Sequence, residues 1–266
     1  MRTILCRAAL SALMFAALNA YGQGPGTGAR PQQLFSTAPV KQLRKGADSW
    51  PVIIAPQTPA VRRTNTLLKA MNRTFLRELN ECDRELQQYA RATQNSLAAN
   101  PAGNWDRKVA VKMEGPRFVS IVANETQVCS GSYPLNQSFA LVFDMKTGSF
   151  IDWKAFVPDN QDIGVTSVTL DGVSVPQLVM PSLSSLAVSR ADGECKQALE
   201  EESLSFLVWP DAKAGRLMVK ATGLPHVVEA CEEPIGLTIG EARKLGFSEA
   251  LLNSLENAHQ RAAHTF

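Results

Sequence analysis

The residues of this sequence that could perform chemistry are few, and their spacing matches no catalytic motif. The three histidines, His226, His259 and His264, form neither a His-x-x-x-His nor a His-Glu-x-x-His pattern. The serine hydrolase patterns Gly-x-Ser-x-Gly and Ser-x-x-Lys are missing as well. The sequence therefore predicts a protein that is not an enzyme, with no catalytic residues, no metal ligands and no cofactor.

Two enzymatic alternatives stay open on the residue types alone. A hydrolase acting on an envelope substrate could assemble its site in the fold from Tyr133, His226 and nearby carboxylates. Cys129 with His226 could also form a thiol nucleophile and its base. An exported chain with several cysteines favours disulfide formation by Cys129 instead.

The N-terminus predicts export. Arg2 and Arg7 give a positive start, and the ten residues 8–17 form an apolar run that is too short to span a bilayer. Small residues then offer cleavage after Ala20 or Gly22. Residues 1–22 are predicted to be a signal peptide, and the mature chain to be periplasmic or secreted. No later stretch has eighteen uninterrupted apolar residues, so no transmembrane segment is predicted after cleavage.

The charge balance argues against nucleic acid as a partner. The 27 Lys and Arg residues include Arg2 and Arg7, so the mature chain carries 25 basic and 25 acidic side chains. Phosphate binding needs a basic surplus. The charges are unevenly spread, with a basic excess in residues 30–117 and an acidic excess in residues 118–266. The two halves are predicted to attract one another within one fold; an exposed basic helix on an anionic wall polymer is the alternative.

Four cysteines follow the leader, and an even number in an exported chain predicts two disulfides. They allow three connectivities, of which the sequential one is preferred: Cys82 with Cys129, and Cys195 with Cys231. No Cys-x-x-Cys occurs, which disfavours zinc and thioredoxin-like redox sites.

The hydrophobic pattern predicts an α+β fold in which a long amphipathic helix packs on an antiparallel sheet, with short C-terminal helices. Residues 23–60 are rich in Gly, Pro, Gln, Ser and Thr and are predicted to be a flexible lead-in, with a short strand at 50–56. Residues 61–266 are predicted to form a single domain. Apolar residues recur every three or four positions over 64–98, which is typical of a helix with one buried stripe.

Further along the chain the period changes to that of strands. Residues 165–186 fit no element clearly, and Thr238-x-x-Glu241 and Ser248 are predicted to begin the terminal helices. The predicted strands are residues 108–115, 117–129, 137–145, 149–153, 204–210 and 216–221.

The stretch CSGSYPLNQSFALVFDMKTGSFIDW, residues 129–153, combines a loop of small residues with a predicted hairpin. Gly148 supplies the positive φ that such a turn needs, and Asp144 is predicted to bond the turn amides. The loop residues Ser130, Gly131, Ser132, Tyr133 and Pro134 are predicted to bind a ligand, because loops held by a rigid scaffold commonly carry recognition.

In this stretch the chain resembles the extracytoplasmic domain of unknown function that is found in RsiV-type anti-sigma factors and beside some cell-wall polysaccharide deacetylases. Asp144, Thr147 and Gly148 match the hairpin of that family, and Gly131 is kept. The family's usual Gly-Gly-Ala-His before the strand is replaced here, so that Tyr133 stands in place of the histidine.

The resemblance spans roughly residues 60–235. It implies a non-catalytic α+β module outside the cytoplasm, which in some relatives binds a protein such as lysozyme. The predicted function is thus an exported interaction module that binds a protein or envelope ligand, with an inhibitor or immunity-type protein as a specific form. A purely structural envelope component is the third possibility.

Overall fold

The computed structural model describes residues 34–93, 105–129, 134–157 and 162–264. Six α-helices and a 3₁₀ helix (His226–Cys231) lie in these ranges. The α-helices are α1 (Pro59–Thr93), α2 (Trp153–Phe156), α3 (Pro181–Arg190), α4 (Gly193–Glu201), α5 (Ile239–Lys244) and α6 (Glu249–Ala263). The strands are β1 (Ser36–Thr37), β2 (Gln42–Arg44), β3 (Ala47–Asp48), β4 (Ile53–Ala55), β5 (Trp105–Glu114), β6 (Phe118–Gln127), β7 (Leu135–Asp144), β8 (Ser149–Phe150), β9 (Gly164–Leu170), β10 (Val173–Val179), β11 (Ser205–Asp211), β12 (Arg216–Thr222) and β13 (Ile235–Leu237).

The strands form two larger sheets and one two-stranded pair, β1 with β4. A six-stranded sheet has the order β2-β3-β5-β6-β7-β8, and a five-stranded sheet has the order β13-β12-β11-β10-β9. Neighbouring strands are antiparallel except β3 and β5. The predicted α+β class, with a long helix, antiparallel sheets and short C-terminal helices, is confirmed.

Helix α1 buries the predicted stripe from Leu68 to Leu86, whereas Tyr89, which continues the pattern, is 53% exposed. It begins at Pro59, where a missing N–H costs nothing, and the Thr58 hydroxyl accepts a hydrogen bond from the backbone N–H of Val61 at 3.1 Å. The stripe side chains Leu68, Met71, Phe75, Leu79, Cys82 and Leu86 are all buried, and the first two pack with β6 and β7 residues such as Ile121 and Leu141. The predicted residues after 93 lie outside the described residues.

The opposite face of β6 and β7 shares a second core with the five-stranded sheet and the C-terminal helices. Phe118 and Val122 belong to one cluster with Phe206 of β11 and Leu251 of α6. The hydroxyl of Ser120 donates to the carbonyl oxygen of Pro210 at 2.6 Å, which ties β6 directly to β11. The six-stranded sheet is therefore covered on one face by α1 and on the other by the five-stranded sheet.

The hairpin after β7 has the predicted turn. Asp144 accepts the N–H of Lys146 on its side chain at 3.0 Å and the N–H of Gly148 on its carbonyl oxygen at 2.8 Å. Gly148 has φ +74°, and a Cβ there would lie 2.3 Å from the carbonyl oxygen of Ala60 in α1. Glycine is thus required both by the turn and by the close approach of the helix.

The second strand of this hairpin is shorter than predicted. Only Ser149–Phe150 pair with β7, because the Asp152 side chain then accepts the N–H of Lys154 at 3.1 Å and begins α2. Trp153 is buried, and it is the first residue of a helix rather than the end of the predicted strand.

Part of the predicted lead-in belongs to the ordered fold. Residues 36–55 contain β1 to β4, and Trp50 and Ile53 are fully buried. Two amide side chains of α1 hold them: Asn72 bonds the N–H and C=O of Trp50, and Asn65 bonds those of Ile53, at 2.8 to 3.0 Å. The fold therefore starts before residue 61. The predicted signal peptide and the lead-in up to residue 33 lie outside the described residues.

Residues 165–186, which fit no element clearly in the sequence, belong to the hairpin β9–β10 and to helix α3. The turn is Asp171-Gly172, with φ +49° and +76°, the positive values that a type I′ turn requires at both central residues. The two disulfides are Cys82–Cys129 and Cys195–Cys231, the sequential pairing that was predicted. Within the described ranges, no helix has the length and apolar character needed to span a membrane.

Candidate functional site

A polar groove opens where the two larger sheets part. Toward the middle of β6 and β7, Val122 and Ala140 fill the space between the sheets. Beyond them the same face continues with polar side chains only. In register across β5, β6 and β7 these form two rungs, Lys108–Asn124–Ser138 and Asp106–Thr126–Asn136. We call the space above these rungs the polar groove.

Hydrogen bonds fix the floor of the polar groove. The hydroxyl of Ser138 donates to Asn124 Oδ1 at 2.8 Å, and the hydroxyl of Thr126 donates to Asn136 Oδ1 at 2.7 Å. Lys220 of β12 reaches across from the other sheet, and its Nζ donates to the Ser138 hydroxyl at 2.9 Å. The floor is therefore continuous from one sheet to the other.

The opposite wall is built around Glu232, which follows the 3₁₀ helix. Its carboxylate lies 3.7 Å from Lys220 Nζ and accepts the backbone N–H of Leu224 at 3.2 Å. Burial raises the pKa of Glu232 above its ordinary value, and nearby Glu229 adds to this, while Leu224 and Lys220 oppose it. The preceding residue, Cys231, is tied to α4 by its disulfide. The wall is thereby anchored covalently.

The polar groove has a volume of about 590 Å³, and a neighbouring lobe of about 400 Å³ shares Asn136, Ser138 and Glu232 with it. Glu125 also borders the main part, but its carboxylate points to the other face of β6. Four further carboxylates line the main part, against two lysines, so that the lining is acidic on balance. Lys108 already pairs with Asp106 at 3.0 Å. The carboxylates are those of Asp106, Glu229, Glu232 and Glu233, and the lysines are Lys108 and Lys220.

The predicted ligand-binding loop directly precedes residues of the polar groove in the sequence. Ser130, Gly131, Ser132 and Tyr133 lie outside the described residues, and Pro134 is exposed. The next residues, from Leu135 to Ser138, line the polar groove or its neighbouring lobe. On the other side of the loop, Cys129 is bonded to Cys82 of α1. The role of the loop stays a prediction.

The hydrolase alternative stays a hypothesis, because Tyr133 and the side chain of His226 lie outside the described residues. The thiol nucleophile alternative is not supported, because Cys129 is in a disulfide with Cys82. His259 Nδ1 lies 2.7 Å from the carbonyl oxygen of Ala212, and His259 does not line the polar groove or its neighbouring lobe. The described residues contain no group of His, Cys, Asp or Glu side chains able to hold a metal ion.

A buried charge cluster lies on the other face of the same strands, and the sequence did not predict it. Arg107 donates from its two terminal nitrogens to the two oxygens of Asp171 at 2.8 and 3.0 Å, and from Nε to Glu125 at 2.6 Å. The ring of Phe75 lies 3.3 Å from the guanidinium carbon. The indole N–H of Trp50 also donates to Asp171, at 2.5 Å.

This cluster is closed to ligands, because Arg107 is 1% exposed and every nitrogen of its guanidinium has a carboxylate partner. It joins the tip of the β9–β10 hairpin to the six-stranded sheet and to α1. The pKa of Glu78, beside it on α1, is raised chiefly by burial and further by the charge of Asp171. We conclude that the buried charge cluster holds the fold together, and that the polar groove is the candidate site.

Neither the protein-family models nor the curated proteins contain a match to this chain. Among solved structures, the chain is similar to a DUF3298 family member from Bacteroides fragilis, with a TM-score of 0.49 and 9% identity. The alignment covers 85% of this chain and 98% of that one. The groove residues therefore take their roles from this chain alone, and the RsiV-type resemblance stays a prediction.

Proposed function

We propose that this protein is an exported, non-catalytic interaction module that binds its ligand in the polar groove. The observation that carries the proposal is the joint floor of the groove, where Lys220 of one sheet bonds Ser138 of the other beside Glu232. A fixed polar surface with hydroxyl, amide and carboxylate groups can match a ligand's donors and acceptors. Two disulfides suit a module that works outside the cytoplasm.

The chemistry of the lining favours a protein ligand that presents basic side chains. Carboxylates outnumber lysines in the polar groove, and complementary charge steers and orients partners. A glycan is the weaker candidate, because the only aromatic ring among the described lining residues is that of Phe139, which is buried. An inhibitor or immunity-type protein that binds a secreted enzyme or toxin is a specific form of this function.

The experiment is affinity capture from an envelope extract of the source organism, with the chain lacking residues 1–22 as bait. Two variants change opposite sides of the polar groove: Asn136→Arg on the floor and Glu233→Arg on the wall. Glu200→Arg is the matched control, since Glu200 is exposed on α4 and makes the same charge change away from the groove.

We expect both groove variants to lose the proteins captured by the unaltered chain, while the control retains them and all melting temperatures stay within a few degrees. Equal capture by all baits would show that the polar groove is not the binding surface. Hydrolysis of a captured envelope substrate by the unaltered chain would replace the proposal with the enzymatic alternative.

A further inference from the structure

The five-stranded sheet ends in an open strand, β9. Among the residues that the structure describes, β9 pairs only with β10, over seven residues from Gly164 to Leu170 without a bulge. Its other edge has no strand partner in that part of the chain. We call this the β9 edge.

The turn geometry decides which backbone groups face the β9 edge. In a two-residue hairpin the innermost pair, here Leu170 and Val173, exchanges both of its hydrogen bonds, and the pattern then alternates. The N–H and C=O groups of Val165, Ser167 and Thr169 therefore point outward. Pro176, which has no N–H, stands opposite Ser167 and agrees with this alternation.

The sequence of β9 itself carries no protection against pairing at its edge. Edge strands are commonly blunted by charged residues, proline or bulges. The sequence GVTSVTL contains neither a charge nor a proline. Val165, Thr166 and Ser167 are exposed in succession, so that both faces of the strand are open beside its free edge. The strand is thus suited to accept a further strand.

We propose that the β9 edge pairs with the β9 edge of a second copy of this chain, antiparallel and centred on Ser167. This register joins the outward-pointing residues, with Val165 opposite the partner's Thr169 and the two Ser167 residues opposite each other. It forms about six backbone hydrogen bonds, two for each of the three outward-facing pairs. The intervening Thr166 meets the partner's Val168.

Self-complementarity favours a second copy over a foreign strand. Between Val165 and Thr169, every pair apart from the central serines joins two β-branched residues, which pack well across strands, and no like charges meet. A two-fold symmetric pair is also the commonest oligomer of soluble proteins. The inference goes beyond the proposed function and adds a consequence to it. Ser167 and Val168 border the neighbouring lobe of the polar groove. Pairing of two β9 edges would therefore place the polar grooves of both copies next to the dimer interface.

The test is sedimentation equilibrium of the chain lacking residues 1–22 over a range of concentrations. We expect a reversible monomer–dimer equilibrium. Ser167→Lys places two like charges opposite each other and should raise the dimer dissociation constant at least about fivefold. Ser174→Lys is the matched control, because Ser174 is exposed on the neighbouring strand β10 but lies off the edge, and it should leave the constant unchanged.

Amide hydrogen exchange tests whether the dimer interface lies at the β9 edge. The amides of Val165, Ser167 and Thr169 should become protected as the concentration rises. A monomer at every concentration overturns the proposal, and so does a dimer that Ser167→Lys leaves intact or whose formation leaves these amides unprotected. A monomer that binds added extended peptides at this edge would instead assign the β9 edge to a foreign strand.

Discussion

Neighbouring residues of β5 and β6 lie on opposite faces of the six-stranded sheet and have opposite surroundings, one closed and one open. Arg107 and Glu125 face α1, where an ion pair is sealed beneath the ring of Phe75. One residue along each strand, Lys108 and Asn124 face the polar groove and remain open to solvent. Successive residues of a strand point to opposite faces, so a shift of one position separates a structural charge from an available one.

The two sides of the sheet differ in how completely each charge is satisfied by partners. Taking an ion out of water is costly unless partners satisfy it, and in the buried charge cluster two carboxylates and two indole N–H groups are arranged around one guanidinium. In the polar groove Lys220 and Glu232 lie 3.7 Å apart, and their side chains remain partly accessible to solvent. Their remaining hydrogen-bonding capacity is what a ligand can use.

The largest loss of stability is expected from Arg107→Met. Removal of the guanidinium leaves Asp171 and Glu125 buried without their cation, which should lower the free energy of unfolding by about 3–5 kcal/mol. Urea denaturation followed by circular dichroism measures the change. Arg63→Met on the exposed side of α1 is the control and should stay within about 0.5 kcal/mol. Equal effects of the two variants would show that the cluster is not what holds these elements together.

Phe75→Ala tests the contribution of the aromatic ring that packs on the guanidinium of Arg107. The ring is fully buried against the guanidinium and Trp105, so its truncation should cost about 3–4 kcal/mol from the lost contacts and the cavity. Leu76→Ala, the next residue, is 42% exposed and should cost much less. A thermal melt that is unchanged in Phe75→Ala would mean that α1 does not seal this face.

On the groove side the same kind of change should be milder. Lys220→Met removes the bond to Ser138 and the pairing with Glu232, and both partners can turn to water, so we expect a loss of about 1 kcal/mol. The pKa of Glu232 should rise further, because a cation that lowers it has gone. NMR titration of the Glu232 side chain checks the shift. A destabilisation as large as that of Arg107→Met would contradict the division into a closed and an open side.

The smallest expected effect is a pH dependence from Glu78. Its pKa is raised in the folded state, so its favourable contribution is complete below the ordinary value of 4.5 and is lost as pH rises through the raised pKa. Glu78→Gln should remove this fall in stability, with a gain well below about 1 kcal/mol at pH 7 because the side chain is partly exposed. Parallel stability–pH curves for the two proteins would argue against the assignment.

Local patterns predicted the elements that rest on local causes. The three- and four-residue spacing of Leu68, Met71 and Phe75 predicts the buried stripe of α1, and the Asp144 turn predicts the hairpin. The β9–β10 hairpin also had a local signal, since Asp171-Gly172 lies between two alternating segments and suits a type I′ turn. The prolines and serines around it obscured the pattern.

The buried charge cluster and the polar groove had no such signal. Asp171 meets Arg107 over a separation of 64 residues, and Trp50 over 121. Such partners are defined only when a hairpin tip, a sheet and a lead-in strand have been placed. The groove likewise depends on where two sheets diverge, a property that neither sheet's sequence contains by itself.

The two disulfides also determine which proteolytic cuts leave the chain covalently linked. One cut between residues 82 and 129, or between 195 and 231, leaves a single covalent molecule until a reductant is added. A cut between 129 and 195 leaves two fragments with no covalent link, which separate under denaturing conditions. The predicted loop at 130–134 begins this unlinked span. Gel electrophoresis without reductant therefore distinguishes a nick in residues 130–134 from one in residues 94–104.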